Sequence, residues 1–231
     1  MKKACCLFLL LFLFSPEFVR AQEDPSRYLD SLEKKYSGLK DYRVDVNVHF
    51  DIEALKAPNM QATLYYKAPD KMKVDSRNVF FFPKEGGYFN PSLFKKKDFD
   101  VRLLERLNYE GRGAVRLRLT PTETNRHPQG FVLTIDTERN LIREISTSPS
   151  EGRTLRAVIG YGEFANFELP AHIELHLDIP SVEPNGMKEF GSFGQRPKRI
   201  TGKVKIAYSN YKVNSGLRDE IFNEAEFPKL K

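Results

Sequence analysis

A twelve-residue alternation near the start of the chain constrains the fold more than any other segment. In residues 42–53 the even positions hold Tyr, Val, Val, Val, Phe and Ile, and the odd positions hold only charged or polar residues. Successive side chains of a β-strand point to opposite faces, so this period predicts a long strand with one buried and one solvent-exposed face.

Ten further segments have strand character, and turn residues separate many of them at intervals of about ten residues. They are residues 60–66, 72–74, 79–82, 101–109, 115–120, 131–135, 141–145, 155–164, 173–179 and 200–213, with 72–74 continuing 60–66 beyond a Pro-Asp turn. The sequence shows no alternation of strands with helices, which argues against a parallel sheet. The pattern therefore predicts a mainly β, antiparallel sheet or barrel of about ten strands.

One amphipathic helix is predicted ahead of the sheet. Apolar residues recur at helical spacing, and Asp24-Pro25 and Gly38 mark the two ends of the segment. This spacing predicts a helix of about four turns. The apolar residues are Tyr28, Leu29, Leu32, Tyr36 and Leu39.

The first residues have the pattern of a cleaved secretory signal. Lys2 and Lys3 precede an apolar run over residues 4–14, and small residues stand at the positions before Gln22. We therefore predict a signal peptide over residues 1–21, cleaved near Ala21, and export to the periplasm. Both cysteines fall inside this segment, so the mature chain is expected to be unlipidated and without disulfides or thiolate metal sites.

Charge gives only weak information about partners. The formal net charge is +6, and the predicted signal carries three positive groups and one negative group, so +4 remains on the mature chain. This mild excess and the predicted export argue against nucleic acid as a partner. The lysines at 95–97 and the basic run at 196–199 are interpreted as solvated loops or as sites for anionic headgroups or an acidic partner.

Sequence motifs for catalysis are missing from the chain. The sequence holds no G-x-S-x-G, H-E-x-x-H, P-loop or G-x-G-x-x-G pattern. His172 and His176 share one face of a strand, but four residues place them roughly 13 Å apart, too far to share a metal. With Glu174 between them they are expected on the solvent side. We therefore expect neither an enzyme nor a metal or cofactor site, although a carboxylate pair brought together across the sheet stays open.

The aromatic content leaves the interior undecided. Eighteen Phe and ten Tyr could fill a barrel with the chain's own side chains or line an apolar ligand cavity. Loop 180–197 carries phenylalanines between glycines, and is interpreted as an ordinary long hairpin or as a mobile flap that docks on an apolar surface.

The order of these parts resembles a known family. Residues 62–72 read ATLYYKAPDKM, which is a strand, a Lys-x-Pro turn and the start of a second strand. Further segments match the family in the same order along the chain. They are Phe89-Asn90-Pro91, VRLRLTP at 115–121, LTID at 133–136 with LIREI at 141–145, YSNYKVN at 208–214 and DEIF at 219–222. A signal, a helix and these segments in this order are similar to the periplasmic outer-membrane lipoprotein carrier proteins of the LolA-like fold.

The resemblance implies an unclosed antiparallel β-barrel, a half-barrel around an apolar cavity, with the N-terminal helix and further helices or loops as a cover. It implies one lipid-binding domain over residues 22–231, acting as a monomer that takes an acylated lipoprotein or other lipid from a membrane donor to an outer-membrane acceptor protein. Cavity-lining residues are expected on the buried faces of the clearest strands. They are Val44, Val46, Val48, Phe50, Leu64, Tyr66, Met72, Val74, Leu117, Leu119, Leu133 and Ile135.

One position departs from the family pattern. The best-known carriers have an arginine before the proline of the Lys-x-Pro turn, where this chain has Ala68. The nearby lysines cannot form the bidentate fork of arginine, so the cargo could equally be a free lipid or a glycolipid. An alternative is an envelope sensor or interaction module of the same fold. Under the carrier hypothesis, Leu64→Glu or Val46→Glu is expected to abolish lipid binding.

Overall fold

Ten antiparallel strands form a single sheet in the computed structural model of the chain, which describes residues 24–52, 58–76, 90–122, 130–147, 154–180 and 199–223. In chain order the strands are β1 (Asp41–Asp51), β2 (Met60–Lys67), β3 (Lys71–Asp75), β4 (Phe99–Tyr109), β5 (Arg112–Pro121), β6 (Phe131–Asp136), β7 (Leu141–Thr147), β8 (Thr154–Phe164), β9 (Phe167–Pro180) and β10 (Arg199–Val213).

The sheet is curved around a core but not closed. Its strand order is β3-β2-β1-β10-β9-β8-β7-β6-β5-β4, so β3 and β4 are its two edges. Two antiparallel meanders, β1–β3 and β4–β9, are joined through β10, which pairs with β1 on one side and β9 on the other. The predicted half-barrel is thereby confirmed.

The helices are few and short. Helix α1 (Arg27–Lys35) has nine residues, so it is shorter than the four turns that the sequence predicted. Its C-cap, Tyr36, leaves the helical region with a φ of −102° and a ψ of 11°. Two 3₁₀ turns, Pro91–Phe94 and Lys96–Asp98, lead into β4, and helix α2 (Glu220–Asn223) follows β10.

Most strand predictions are confirmed within two residues of their ends. The exceptions are β5, which begins at Arg112, three residues ahead of the predicted start at residue 115, and β9, which begins at Phe167, six residues ahead of the predicted start at residue 173. A register shift between Gly160 and Tyr161 opposite this part of β9, together with Pro170, interrupts the alternation there. The predicted signal peptide and the strand predicted at residues 79–82 lie outside the described residues.

Most of the buried apolar residues of the strands lie on the inner, concave face of the sheet. Tyr28, Leu29 and Leu32 of α1 are buried in the same core as the strand residues. Burying a side chain of this size stabilises the fold by roughly 1.5–3 kcal/mol. Since the described residues include no cysteine, this core is the main source of their stability.

Candidate functional site

The inner face of the half-barrel is the candidate ligand-binding surface. The structure places all twelve predicted cavity residues on or against its apolar core. Nine of them are fully buried, with at most 2% of their surface exposed: Val44, Val46, Val48, Leu64, Tyr66, Leu117, Leu119, Leu133 and Ile135. Phe50, Met72 and Val74 are half-buried and pack against the same core. Whether any of the twelve contacts a ligand stays a prediction.

Helix α1 is held at one end of this face by a clamp of charged residues. The Glu168 carboxylate accepts hydrogen bonds from Lys35 and Arg139, and Lys35 Nζ also donates to the Arg139 carbonyl oxygen at 2.8 Å. The Tyr36 hydroxyl donates to the Glu168 carbonyl oxygen at 2.8 Å. Burial raises the pKa of Glu168, but the two cations outweigh it and hold that pKa below its usual value. The Glu168 carboxylate is therefore ionised near neutral pH and forms ion pairs with Lys35 and Arg139.

Tyrosines fill the core at the same end of the sheet. The ring of Tyr42 stacks on Tyr66 at a centroid distance of 5.1 Å and meets Tyr211 edge-on at 5.7 Å. The hydroxyls of Tyr211 and Tyr161 donate to the carbonyl oxygens of Pro170 and Ile142, each at 2.8 Å. Burial raises the pKa of both phenols far above the usual value. They are therefore neutral hydrogen-bond donors, which suits packing and not proton transfer.

This end of the half-barrel is called the turn end, because the tight connections β2–β3, β4–β5, β6–β7 and β8–β9 all lie there. At the opposite end the inner face finishes in half-buried apolar residues. We call Phe50, Met60, Leu155 and Leu177 the rim; they lie on β1, β2, β8 and β9. Parts of the longer connections at this end, including loop 180–197 apart from Pro180, lie outside the described residues.

A glycine allows two neighbouring strands to approach closely in the middle of the rim. Gly202 of β10 pairs with Leu177 of β9, and it directly precedes Lys203, the register partner of Asp51 in β1. A Cβ added there would lie 2.7 Å from the Asp51 carbonyl oxygen and 2.9 Å from the Cα of Ile52. Only glycine therefore lets β1 and β10 approach this closely at the rim.

The Lys-x-Pro turn binds the C-terminal segment of the described chain. Lys67 and Lys71 form ion pairs with Asp219 at 2.7 and 3.2 Å, and Lys67 Nζ donates to the Leu217 carbonyl oxygen at 2.7 Å. Hydrogen bonds from both lysines lower the pKa of Asp219. The lysines that flank Ala68 thus hold the segment leading into α2.

The outer face carries the polar residues that the sequence placed on the solvent side. His172 is exposed, and Glu174 and His176 are half-buried with their polar atoms in contact at 2.8 Å. A surface depression of about 370 Å³ lies beside them over Ala207. Within the described ranges no group of three or more His, Cys, Asp or Glu is arranged to hold a metal ion.

The comparisons with known proteins agree with the geometry. The fold is that of LolA-like proteins, and the matches extend over most of the chain. A domain described as an outer membrane lipoprotein-sorting protein, from Vibrio parahaemolyticus, is 10% identical with a TM-score of 0.59, covering 86% of this chain and 96% of its own. A LolA superfamily protein from Nitrosomonas europaea is 12% identical with a TM-score of 0.56, covering 87% and 97%.

A third structure of the same shape is a DUF1329 family protein from Desulfovibrio piger, 12% identical with a TM-score of 0.59, covering 87% of this chain and 98% of its own. No family model and no curated protein matches the sequence. At these identities the likeness establishes the fold alone. None of the described helices combines the length and apolar character needed to cross a bilayer.

Two features of the site had no signal in the sequence. The clamp joins Lys35 to Glu168, which lie 133 residues apart in the sequence. The rim consists of the inner-face residue that lies nearest the end of each strand opposite the turn end. Alternation assigns a residue to the inner face but not to a height along the barrel. The sequence therefore predicted the inner face as a whole, without separating its buried part from its half-buried rim.

Proposed function

We propose that this chain is a periplasmic carrier that binds the acyl chains of a lipoprotein or another lipid on its inner face and delivers the cargo toward the outer membrane. The observation that carries the proposal is the rim, a set of half-buried apolar residues that continues the inner face at one end of a LolA-like half-barrel. Under this proposal residues 22–231 form one exported domain, which works as a monomer between a membrane donor and an outer-membrane acceptor.

The energetics support a binding surface of this kind. Each buried CH₂ group contributes about 0.8 kcal/mol, so a long acyl chain in water is strongly unfavourable. The rim offers apolar surface that is already partly exposed, so a chain can begin to bind there at little cost. An acyl chain reaches the nine fully buried residues only if α1 shifts, because its buried side chains belong to the same core.

The direct test is native mass spectrometry, with lipid extraction, of the protein purified from its own periplasm. A co-purifying acylated molecule is expected, and its mass would identify the cargo class. A protein that stays empty when offered lipids and lipopeptides would contradict the carrier function. Fractionation of the same cells tests export and cleavage near Ala21.

A matched pair of variants locates the binding surface. Met60→Glu places a charge on the rim, and Gln61→Glu places the same charge on the exposed outer face of the same strand. Since one buried charge outweighs several CH₂ contacts, Met60→Glu is expected to weaken lipid binding at least ten-fold, while Gln61→Glu leaves it unchanged. Equal effects of the two variants would place the ligand elsewhere.

The variants suggested by the sequence alone are less informative. Leu64 is fully buried and Val46 is 2% exposed, so a glutamate at either position buries an unpaired charge and destabilises the whole fold. Loss of binding is still expected, but it would not distinguish a cavity residue from a core residue. Rim variants avoid this ambiguity.

An envelope sensor or interaction module is the second candidate function. The charged clamp on α1 favours it, because a helix fixed by Lys35, Glu168 and Arg139 suits a protein that keeps one conformation and binds a partner stably. Such a module holds its ligand or partner with slow release, whereas a carrier transfers cargo to acceptor membranes. A transfer assay from loaded protein to vesicles separates the two.

A further inference from the structure

The depression on the outer face of the sheet has a single small side chain as its floor. We call it the outer depression; it has a volume of about 370 Å³ and lies over Ala207 of β10. In the register of the sheet, Ala207 pairs with Asn47 of β1 and with His172 of β9. His172 also pairs with Gly160 of β8, and its imidazole ring covers that glycine. Because the ring lies over Gly160 and the Ala207 methyl group is small, the described side chains leave a depression between them.

The walls of the outer depression are polar side chains that supply both donors and acceptors of hydrogen bonds. Asn59 Oδ1 lies 2.7 Å from His49 Nδ1, and the nitrogen donates because an amide oxygen only accepts. In the neutral imidazole this leaves Nε2 of His49 as an acceptor. Asn47 adds an amide group and His172 a second imidazole, and neither side chain forms a hydrogen bond within the described ranges. A ligand with several hydroxyl groups matches these walls, because each hydroxyl both donates and accepts.

The charges of the described residues around the outer depression balance one another. Lys205 Nζ lies 3.9 Å from Asp51 Oδ2. Lys203 Nζ donates to Glu174 Oε1 at 3.0 Å. Two lysines and two carboxylates thus compensate each other, so neither an anion nor a cation meets a net opposite charge there. This balance favours an uncharged ligand.

The size and the floor of the outer depression suit one sugar ring. Ligand pockets have volumes of about 300–1,000 Å³, so a volume of about 370 Å³ takes a single monosaccharide unit. The Ala207 methyl group offers an apolar surface to the C–H face of the ring. The hydroxyl groups at the edge of the ring then meet the polar side chains that surround Ala207.

We propose that the outer depression binds one uncharged sugar ring, with Asn47, His49 and His172 as hydrogen-bonding partners and Ala207 beneath the ring. The site lies on the face of the sheet opposite the proposed acyl-binding surface, so it goes beyond the carrier function and does not depend on it. The ring can belong to the headgroup of a glycolipid or to a unit inside a glycan chain, since the two share the same chemistry.

The test titrates the protein with soluble sugars and follows the imidazole signals by NMR. Methyl β-glucoside is the first probe, and a Kd on the order of 1 mM is expected for a ligand of this size. The signals of His49 and His172 should shift and saturate, whereas those of His176, which lies on the same face outside the outer depression, should stay unchanged. Glucose 6-phosphate carries the same ring with a charged group and should bind no more tightly than methyl β-glucoside.

Matched variants of β10 locate the sugar. Ala207→Leu fills the outer depression and is expected to weaken binding about ten-fold or more, because the side chain occupies the place of the ring. Ser209→Leu adds the same bulk at the next exposed outer position of the strand, outside the outer depression, and should stay within about two-fold of the wild type. Asn47→Ala removes one hydrogen-bonding group and should weaken binding about three- to ten-fold. All three positions are exposed, so melting curves should show an intact fold in each variant.

A second sugar distinguishes the two sources of the ring. A glycolipid headgroup is substituted at C1 only, like methyl β-glucoside, whereas a unit inside a glycan chain also carries a substituent on O4, like its 4-O-methyl derivative. Tighter binding of the first sugar supports a headgroup as the ligand. Equal or tighter binding of the derivative supports a glycan chain.

Three outcomes overturn the inference. If the signals of His49 and His172 do not shift, or if Ala207→Leu binds the sugar as well as Ser209→Leu does, the outer depression is not a sugar site. If glucose 6-phosphate binds about ten-fold more tightly than methyl β-glucoside, the site selects an anion and not an uncharged ring. None of these results bears on the carrier proposal, whose lipid-binding test addresses the opposite face of the sheet.

Discussion

The two ends of the half-barrel are built differently. At the turn end, tight connections, stacked tyrosines and the clamp on α1 surround a core that includes the fully buried Tyr42, Tyr66 and Leu169. At the rim the same strands finish in half-buried apolar residues. The comparison indicates how one sheet combines two features: the clamp and the stacked tyrosines stabilise the turn end, and the rim leaves apolar surface partly exposed.

The largest expected effect is a difference in the free energy of unfolding between variants of two leucines of the same strand. Leu169 lies at the turn end of β9 and is fully buried, whereas Leu177 lies on the rim and is half-buried. Leu169→Ala is expected to lower the free energy of unfolding by about 2–5 kcal/mol, and Leu177→Ala by roughly half as much. Urea unfolding of both variants measures the difference. Equal losses would show that the two ends are packed alike.

The next effect concerns the clamp. Glu168→Gln removes the carboxylate that binds Lys35 and Arg139, and is expected to lower the free energy of unfolding by about 1–2 kcal/mol near neutral pH. Because the pKa of Glu168 is lowered in the folded state, this contribution is present above the unfolded pKa. It is lost as the pH falls through the folded pKa, below the usual value of 4.5.

A pH series of melting curves checks this sign. The wild type and Glu168→Gln should converge only at pH values below the lowered folded pKa of Glu168, and the exposed neighbour variant Glu163→Gln should follow the wild type throughout. If the melting temperatures of Glu168→Gln and the wild type moved further apart as the pH fell, the ionised Glu168 carboxylate would not be the group that stabilises the clamp.

The smallest expected effect concerns the contact between Gly160 and His172 on the outer face, midway along β8. An added Cβ at Gly160 would lie 2.0 Å from the Cε1 atom of His172, so the imidazole ring covers the glycine. Gly160→Ala is expected to displace the ring at a cost of about 1 kcal/mol, and that cost should vanish in the background His172→Ala. A double-mutant cycle measured by thermal unfolding gives the coupling. Additive effects would mean that the backbone, and not the ring, responds.

The sequence predicted the strands well because their signal is local. Period-two alternation defines β1 and most other strands, since a half-buried sheet selects the residue type at every second position. The prediction failed where a local irregularity intervened, as at the start of β9 opposite the register shift of Gly160 and Tyr161.

The candidate site was predicted only in part, for a related reason. Burial of Val46 or Leu117 follows from alternation, but the contact of Lys35 with Glu168 requires the placement of α1 against β9. Contacts between residues so far apart in sequence depend on the complete sheet. A single sequence carries no local pattern that reports them.

The position of β10 between β1 and β9 has a consequence for how the chain is made. The last strand to be synthesised joins the two meanders, so during synthesis β1–β3 and β4–β9 exist as separate sheets whose apolar faces have not yet met. Sheet pairing between residues this far apart is slow, because the chain entropy must be lost before the contacts form. Emerging chains would therefore stay incompletely folded until their final strand is available, a delay that would suit the export proposed for this chain.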